Sequence, residues 1–264
     1  MIEVPTPTSI FDRYPALREI PAERFPHHVF IIPDGNRRSA AKIGQEPLAG
    51  HESGLIKTLE LLRVMRELPV EIVTLWGFSA DNWKRPEDEK TGLMHLFDKN
   101  IPLNLPELIG NDARFVHLGR KDRIPEGLAK TLQVAERETR NNSGQIVCVA
   151  IDFGGKDQEE RIVRQSARIA AQIARLNPEM SPEEISKLLD EVDTATALRD
   201  TSGLIPPADL IIRTSERRTS DVGWINGPQT ELFFLEDKFF PELTDGDIVD
   251  AMVYFSQRNR RLGK

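Results

Sequence analysis

Short apolar runs recur along the chain and alternate with segments in which apolar residues repeat at helical spacing. The runs that predict strands are 29–32, 71–78, 114–118, 146–153, 210–212 and 232–235. Helices are predicted at 54–67, with Leu55, Leu59, Leu62 and Met65 on one face, and at 125–141 and 158–176. This alternation predicts an α/β fold with a mostly parallel sheet of about six strands and helices on its faces.

The first 26 residues are rich in proline and charge and have no clear periodicity. They are predicted to form an N-terminal extension, residues 1–26, that is partly ordered or wraps the domain. Ser181 followed by Pro182 is typical of a helix start, and this helix is expected to run on the surface to about Asp190. No repeat or convincing linker interrupts residues 27–264, so a single domain is favoured.

A polar segment, Asp34-Gly35-Asn36-Arg37-Arg38, follows the first predicted strand directly. Gly35 permits a sharp turn whose backbone N–H groups face an anion, and a short helix after it would add its positive end. Asp34 is suited to hold Mg²⁺ on a diphosphate, while Arg37 and Arg38 offer forked donors to its oxygens. The segment predicts a phosphate site beside a metal-binding carboxylate, although Asp-Gly turns with a purely structural role are also common.

Two further polar clusters follow predicted strands, in residues 74–86 and 209–220. Their candidate residues are Ser79, Asp81, Asn82, Trp83, Arg85, Arg213, Arg218 and Ser220. Ligands of open parallel sheets bind beyond the carboxyl ends of the strands, so both clusters are expected to face the same crevice as Asp34. Two alternatives stay open. In one, Asp81 and Asn82 cap the next helix and Trp83 is a core residue; in the other, the arginines lie on a solvated surface.

Composition narrows the functional classes. The formal net charge of −7 argues against a nucleic-acid binder, which needs a basic surface. The single cysteine, Cys148, lies in an apolar run and is expected to be a core residue. No apolar run of about 18 residues and no signal-like N-terminus occur, so a cytoplasmic location is expected. Clustered arginines in an acidic protein indicate confined anion sites.

The three clusters together resemble the signatures of the cis-prenyltransferases, the undecaprenyl diphosphate synthase family. The first family pattern, His-x-x-x-Ile-x-Asp-Gly-Asn-x-Arg-Trp-Ala, matches residues 28–40 except at Ser39. The second, Phe-Ser-Thr-Glu-Asn-Trp-x-Arg-Pro, matches 78–86 except at Ala80 and Asp81. The third, Asp-Leu-x-Ile-Arg-Thr-Gly-Gly-Glu-x-Arg-x-Ser, matches 209–220 with a loop one residue shorter. Smaller matches at 50–54, 152–156 and 260–263 extend the resemblance over nearly all of 28–263.

This resemblance implies a cis-prenyltransferase catalytic domain in residues 27–264. It would condense isopentenyl diphosphate with an allylic diphosphate, expected to be farnesyl or geranyl diphosphate, into a cis-polyprenyl diphosphate and release pyrophosphate. Asp34 and Glu231 would hold the Mg²⁺ cofactor, and Asp34 and Asn82 are the catalytic candidates. The family places proton removal at Asn82 with Ser79; because an amide is a poor base, Asn82 is expected to orient a water or a diphosphate oxygen.

The other motif positions would bind the substrates. Arg213, Arg218 and Ser220 are assigned to isopentenyl diphosphate, with Thr219 beside them. The remaining substrate-binding positions are Gly35, Asn36, Arg37, Arg38, Ser39, His51, Ser79, Ala80, Asp81, Trp83 and Arg85. The growing hydrocarbon needs an apolar channel, for which the candidates are Trp76, Phe78 and the Leu55/Leu59/Leu62 face; the small Gly77 favours a long product.

Residues 261–263 resemble a family segment that reaches a neighbouring subunit, which implies a homodimer. No strongly basic amphipathic helix supports more than transient contact with a membrane surface. The departures at Ser39, Pro47, where an arginine commonly binds the allylic diphosphate, and Asp81 leave open a head-to-middle coupling of two allylic diphosphates. A non-catalytic, polyprenyl-binding partner subunit is the alternative from another class.

Overall fold

Residues 8–259 are described by a computed structural model, and within them six strands form one sheet. The strands are β1 (His28–Ile32), β2 (Ile72–Ser79), β3 (Arg114–Leu118), β4 (Ile146–Phe153), β5 (Leu210–Thr214) and β6 (Glu231–Leu235). Their order is β3-β4-β2-β1-β5-β6, and all neighbouring pairs are parallel. The predicted α/β fold with a mostly parallel sheet is confirmed.

Nine α-helices occur in the described residues, and they cover both faces of the sheet. They are α1 (Ile10–Arg13), α2 (Asn36–Lys42), α3 (Pro47–Glu67), α4 (Glu87–Gly110), α5 (Glu126–Thr139), α6 (Gly155–Leu176), α7 (Pro182–Glu191), α8 (Thr194–Ala197) and α9 (Asp245–Ser256). The predicted start of α7 is confirmed: the Ser181 side chain accepts from the Glu184 N–H at 3.2 Å, and the Glu184 carboxylate accepts from the Ser181 N–H.

The position of β1 inside the sheet explains why its sequence is apolar at every position after His28. Val29 and Ile31 pack on one face of the sheet among residues of α3 and α9, whereas Phe30 and Ile32 pack on the other face. All five residues of β1 are buried. A parallel strand with helices on both sides therefore shows a continuous apolar run instead of an alternating one.

Part of the predicted N-terminal extension packs against the sheet domain. Ile10 in α1 and Leu17 in the following 3₁₀ turn are fully buried in the same core as Val29. The Ile10 N–H also donates to the Glu67 carboxylate at the end of α3, at 2.6 Å. Hydrophobic burial and one hydrogen bond thus hold residues 10–17 on the domain.

Helix α4 was not among the predicted helices, and its sequence explains why. It contains Pro102 and Pro106, each of which removes a backbone N–H and disfavours a helix interior. The side-chain amides of Asn100 and Asn104 donate to the carbonyl oxygens of Leu96 and Asn100, both at 2.8 Å, and so supply local hydrogen bonds. Packing of α4 against α3, α5 and the sheet outweighs the local propensity. Within residues 8–259, no helix is long and apolar enough to cross a membrane.

Candidate active site

The chain order reverses at β1, which lies between β2 on one side and β5 on the other. Such a switch point opens a crevice beyond the carboxyl ends of the strands, where open α/β sheets bind ligands. Asp34 follows β1 by two residues, and Arg213 in β5 lies level with Ile32 in the parallel register. The fold therefore brings the first and third sequence clusters together at one edge of the sheet.

Gly35 makes the turn between β1 and α2 possible. Its φ is +95°, a left-handed conformation that side chains rarely adopt, and a Cβ there would lie 2.6 Å from the Phe239 ring. The turn leads directly into α2, whose first-turn N–H groups have no partner within the helix. Arg37 and Arg38 lie in this turn with their side chains exposed.

Asp34 is held between two arginines. Its Oδ1 accepts from the Gly35 N–H at 2.6 Å and from Arg38 at 3.0 Å, and its Oδ2 accepts from Nη2 of Arg213 at 2.8 Å. Burial by itself raises the pKa of Asp34. The hydrogen bond and charge of Arg213 and the charge of Arg38 lower the pKa by more than burial raises it, so it lies below its ordinary value. Asp34 is therefore a carboxylate at neutral pH.

Arg213 is buried, with 3% of its surface exposed, and its guanidinium organises the third cluster. Nη1 donates to the Arg218 carbonyl at 2.7 Å and to the Ser220 hydroxyl at 2.6 Å, while Nη2 donates to Asp34 and Glu216. The Nε–H is buried and has no acceptor. Buried donors are nearly always paired, so this orphan marks a place for a ligand's acceptor atom.

Glu216 is a residue that the sequence analysis did not select. Its Oε2 accepts from Arg213 at 3.0 Å and pairs with Arg218, and its Oε1 lies 3.2 Å from Arg38. Three guanidinium groups thus converge on one carboxylate, an arrangement that also suits a phosphate group. The signal in the sequence was its place inside the arginine-rich loop after β5.

A further acid, Glu89 in α4, is buried and was also missed, because α4 was not predicted. Its Oε1 lies 3.1 Å from His51 Nε2, 3.0 Å from Arg85 Nη1 and 3.7 Å from Arg37 Nε. Burial lowers the pKa of His51 more than the contact with Glu89 raises it, so the imidazole is neutral at pH 7. A carboxylate only accepts, which places the His51 proton on Nε2.

These groups surround a cavity of about 590 Å³, which we call the anion cavity. Its lining residues are Pro33, Asp34, Gly35, Asn36, Arg37, Arg38, Ala41, Pro47, His51, Arg85 and Glu216. Five predicted substrate-binding residues of the first motif and its neighbours and one of the second therefore meet in one space with Asp34. Arg213 and Arg218 join it through their bonds to Asp34 and Glu216, and Ser220 joins it through its bond to Arg213. Ser39 and Thr219 are half-buried outside the lining.

A second cavity, the apolar cavity, adjoins the first. It lies between α3, α4 and strands β2 to β4, and it shares Pro33, Asn36 and His51 with the anion cavity. The predicted face of Leu55, Leu59 and Leu62 lines it, and so does Gly77. Two other predicted lining residues do not: Trp76 packs with Phe30 and Phe153 on the opposite face of the sheet, and Phe78 is fully buried against Trp83.

Asn36 stands at the junction of the two cavities because two glycines of α3 make room for it. A Cβ at Gly50 would lie 2.1 Å from the Asn36 carbonyl oxygen, and one at Gly54 would lie 2.6 Å from Asn36 Oδ1. The Asn36 amide donates to the Pro33 carbonyl at 3.1 Å, while its Oδ1 is buried and unpaired. The two α3 glycines thus fix a polar group between the polar and the apolar space.

The second sequence cluster lies in a 3₁₀ turn, Ala80–Lys84, after β2. Asn82 Oδ1 accepts from the Ser79 N–H at 2.9 Å in a capping box, and Trp83 donates to the buried Asp152 at 2.7 Å. Asp81 is exposed and pairs with Lys84. Asn82 therefore helps to cap its own turn. The next helix, α4, follows Pro86 and has no side-chain cap, so the alternative interpretation that Asp81 and Asn82 cap that helix is wrong. Neither Asp81 nor Ala80 lines the anion cavity.

Glu231, predicted to share a metal with Asp34, is not brought to it within one chain. It begins β6, pairs with Leu210 in the register and accepts from Arg258 at 3.2 Å. Leu210 lies level with Val29, five residues before Asp34, which corresponds to about 16 Å along a strand. In a parallel sheet, a residue that starts a strand lies at the opposite edge from one that follows a strand.

The acids that the structure does place in the crevice are Asp34 and Glu216. Both accept from the same Arg213 nitrogen, at 2.8 and 3.0 Å, so their oxygens lie close together. No group of three or more potential metal-ligating side chains occurs among residues 8–259. Mg²⁺ on a diphosphate needs only one or two carboxylates, because phosphate oxygens and waters complete its shell, so this donor set fits a diphosphate-bound ion.

Comparisons with known proteins agree with this geometry. A family model described as "Putative undecaprenyl diphosphate synthase" matches residues 32–263. Isoprenyl transferase 1 of Bradyrhizobium diazoefficiens is 35% identical over 237 residues, which cover 89% of this chain and 89% of that protein. Tritrans,polycis-undecaprenyl-diphosphate synthase (geranylgeranyl-diphosphate specific) of Methanocaldococcus jannaschii is 35% identical over 248 residues, or 93% of this chain and 85% of that protein. The crystal structure of lavandulyl diphosphate synthase from Lavandula x intermedia with dimethylallyl diphosphate superposes with a TM-score of 0.79 at 28% identity, covering 92% of this chain and 100% of that chain.

Proposed function

The chain belongs to the undecaprenyl diphosphate synthase family of isoprenyl transferases, the cis-prenyltransferases, and we propose that it condenses isopentenyl diphosphate with an allylic diphosphate. The product is a prenyl diphosphate with a new cis double bond, and pyrophosphate leaves. The observation that carries this proposal is the pair of adjoining cavities, one lined by arginines and acids and the other mostly by apolar side chains. A diphosphate with a hydrocarbon tail has the same two parts.

The allylic diphosphate is proposed to bind in the anion cavity over the first turn of α2. Breaking its carbon–oxygen bond leaves negative charge on the departing diphosphate, and preorganised cations and N–H groups stabilise such charge. Arg37, Arg38 and Arg85 supply the cations, and the start of α2 supplies N–H groups. The contact with Glu89 fixes the tautomer and the orientation of the neutral His51 side chain, which lies at the junction of the two cavities.

The diphosphate of isopentenyl diphosphate is proposed to bind at Arg213, Arg218 and Ser220. The unpaired Nε–H of Arg213 and the exposed guanidinium of Arg218 are donors that such a group would take up. Asp34 and Glu216 keep the Arg213 side chain in place by accepting from Nη2. Asp34 lies between these two proposed diphosphate positions, so the alkene of isopentenyl diphosphate would attack the allylic carbon as its carbon–oxygen bond breaks.

Mg²⁺ is proposed to bind at Asp34, with Glu216 as the neighbouring acid, and when bound it would neutralise charge on the leaving diphosphate. The low pKa of Asp34 keeps the carboxylate charged for this purpose. After bond formation one proton must leave the product. Asn82 is proposed to orient the accepting water or diphosphate oxygen with its NH₂, because its Oδ1 is already bonded to the Ser79 N–H and an amide is not basic.

The hydrocarbon is proposed to extend into the apolar cavity. Farnesyl or geranyl diphosphate is the proposed primer, since the cavity follows α3 from His51 to Arg66, about 22 Å at 1.5 Å per residue. Pro47 lines the anion cavity where the family commonly has an arginine, so Arg37 and Arg85 would carry that contact here. A homodimer is proposed as well; the segment 261–263 that implies it lies outside the described residues.

A second candidate is head-to-middle coupling of two allylic diphosphates. It is favoured by the similarity to lavandulyl diphosphate synthase and by the departures at Ser39, Pro47 and Asp81. The two reactions differ in the second substrate, because only chain elongation consumes isopentenyl diphosphate.

The test is to incubate the purified protein and Mg²⁺ with radiolabelled isopentenyl diphosphate and dimethylallyl, geranyl or farnesyl diphosphate in turn. Labelled polyprenyl diphosphate that disappears in Asp34→Ala supports elongation and reports primer and chain length. Consumption of an allylic diphosphate without incorporation of label would support head-to-middle coupling instead. No consumption of either substrate would contradict both reactions.

A further inference from the structure

The far end of the apolar cavity is closed by charged side chains. Arg63 donates to Glu107 through two nitrogens, Nε at 3.1 Å and Nη2 at 3.0 Å, and Arg66 donates to the same carboxylate at 3.4 Å. All three residues line the cavity. We call these residues the Arg63–Glu107–Arg66 cluster.

The cluster lies opposite the reactive end of the cavity. Helices α3 and α4 run in the same direction along it, because His51 of α3 contacts Glu89 of α4 near the anion cavity and Arg63 contacts Glu107 further along both helices. The twelve residues from His51 to Arg63 span about 18 Å. A chain that grows from the anion cavity therefore points its older end at this cluster.

Between the two ends the cavity is lined mainly by apolar side chains, so each added isoprene unit gains by leaving water. At the cluster, further growth of the chain no longer brings this hydrophobic stabilisation. The hydrogen bonds from Arg63 hold the pKa of Glu107 below its ordinary value, so Glu107 is a charged carboxylate between the two guanidinium groups. Gln145 closes the adjoining wall by donating to the carbonyl oxygens of Met65 and Val70. A hydrocarbon end pushed further would separate charges from their partners and from water, which is unfavourable.

We propose that the Arg63–Glu107–Arg66 cluster closes the far end of the apolar cavity and limits the length of the prenyl chain that this enzyme makes. The inference rests on the proposed elongation activity and adds a specificity determinant to it. The side chains of the cluster are 37–56% exposed. Ion pairs of this exposure contribute little to folding stability, so they can be changed without unfolding the protein.

The experiment compares product lengths made from labelled isopentenyl diphosphate and farnesyl diphosphate by the full-length protein and by Glu107→Leu. Without the carboxylate, Arg63 and Arg66 repel each other and turn to solvent, so the products are expected to lengthen by one or more isoprene units. The rate of the first condensation stays within about twofold, because the anion cavity is untouched. Glu126→Leu is the matched control, since Glu126 forms an exposed pair with Lys130 on α5, away from the cavity.

The charge-exchanged variant Arg63→Glu/Glu107→Arg re-forms a pair and is expected to restore the original length. Unchanged product lengths in Glu107→Leu, with normal incorporation of label, would overturn the inference and leave the proposed function standing. If the unaltered protein incorporates no label, the proposed function fails instead. Binding of saturated n-alkyl diphosphates of increasing length then tests the cluster alone: affinity should peak at a chain length that increases in Glu107→Leu, and an unmoved peak would overturn the inference.

Discussion

The anion cavity and the apolar cavity share Asn36 and His51 but are built in different ways. The anion cavity takes most of its groups from short segments that directly follow the parallel strands β1 and β5. The apolar cavity takes its walls from side chains spread along α3, α4 and three strands. The charged groups thus come from a few short stretches of sequence, whereas the space for the hydrocarbon depends on how α3 and α4 pack against the sheet.

The largest expected effect comes from removing the Asp34 carboxylate from the anion cavity. In Asp34→Ala, Arg213 loses one of its two carboxylate partners and both diphosphates lose the proposed magnesium ligand, so turnover should fall by about 100-fold or more. Steady-state rates with isopentenyl and farnesyl diphosphates measure it. Asp122→Ala, which removes an exposed acid paired with Arg120, is the control and should retain activity. Equal rates in both variants would contradict the assignment of Asp34.

The junction offers the second test. In Gly54→Ala the new Cβ would lie 2.6 Å from Asn36 Oδ1, so the Asn36 side chain must move. Because small displacements of positioned groups are costly in catalysis, kcat should fall by about 10- to 100-fold with a nearly unchanged melting temperature. Gly127→Ala, in the exposed start of α5 with only one contact at 3.6 Å, should leave kcat unchanged. A normal kcat in Gly54→Ala would remove Asn36 from the site.

The apolar side can be narrowed selectively at Gly77, whose Cβ would lie 3.1 Å from the Phe97 ring. Gly77→Leu should reduce turnover of farnesyl diphosphate by about 10-fold relative to dimethylallyl diphosphate, because only the longer tail reaches the obstruction. Competition between the two primers measures the ratio. The double variant Gly77→Leu/Phe97→Ala should recover most of it, and an unaltered ratio in the single variant would show that the tail lies elsewhere.

The smallest effect is expected at Glu89, which joins the two helices of the apolar cavity to the anion cavity. Glu89→Gln keeps an acceptor for His51 but loses the charge that pairs with Arg85, so the free energy of unfolding should drop by about 1–2 kcal/mol. Urea denaturation measures it. Glu87→Gln, on the same helix but exposed and paired with Lys90, should change stability by less than about 0.5 kcal/mol. Equal losses in both variants would mean that burial of Glu89 has no consequence.

The site residues that lie close together in the sequence could be assigned to the site from the sequence alone. The strand before Asp34, the turn at Gly35 and the arginines of α2 form one continuous segment, and parallel topology then aligns this segment with Arg213. Glu89 was not predictable, because it lies in a helix with two internal prolines whose formation depends on packing. Trp76 was assigned to the channel although it faces the other side of the sheet, since a fully buried strand shows no alternation that tells its two faces apart.

The sequence by itself determined the class of fold, the three polar clusters and the family, because strand runs, turn residues and motif spacing are local properties of the chain. Only the tertiary structure decided that Glu216 stands among three arginines, that Asn82 caps its own turn, and that Glu231 lies at the opposite edge of the sheet from Asp34. It also decided where the apolar cavity ends, at Arg63, Arg66 and Glu107. Distances between side chains of separate elements follow from strand register and helix packing, and no local pattern encodes them.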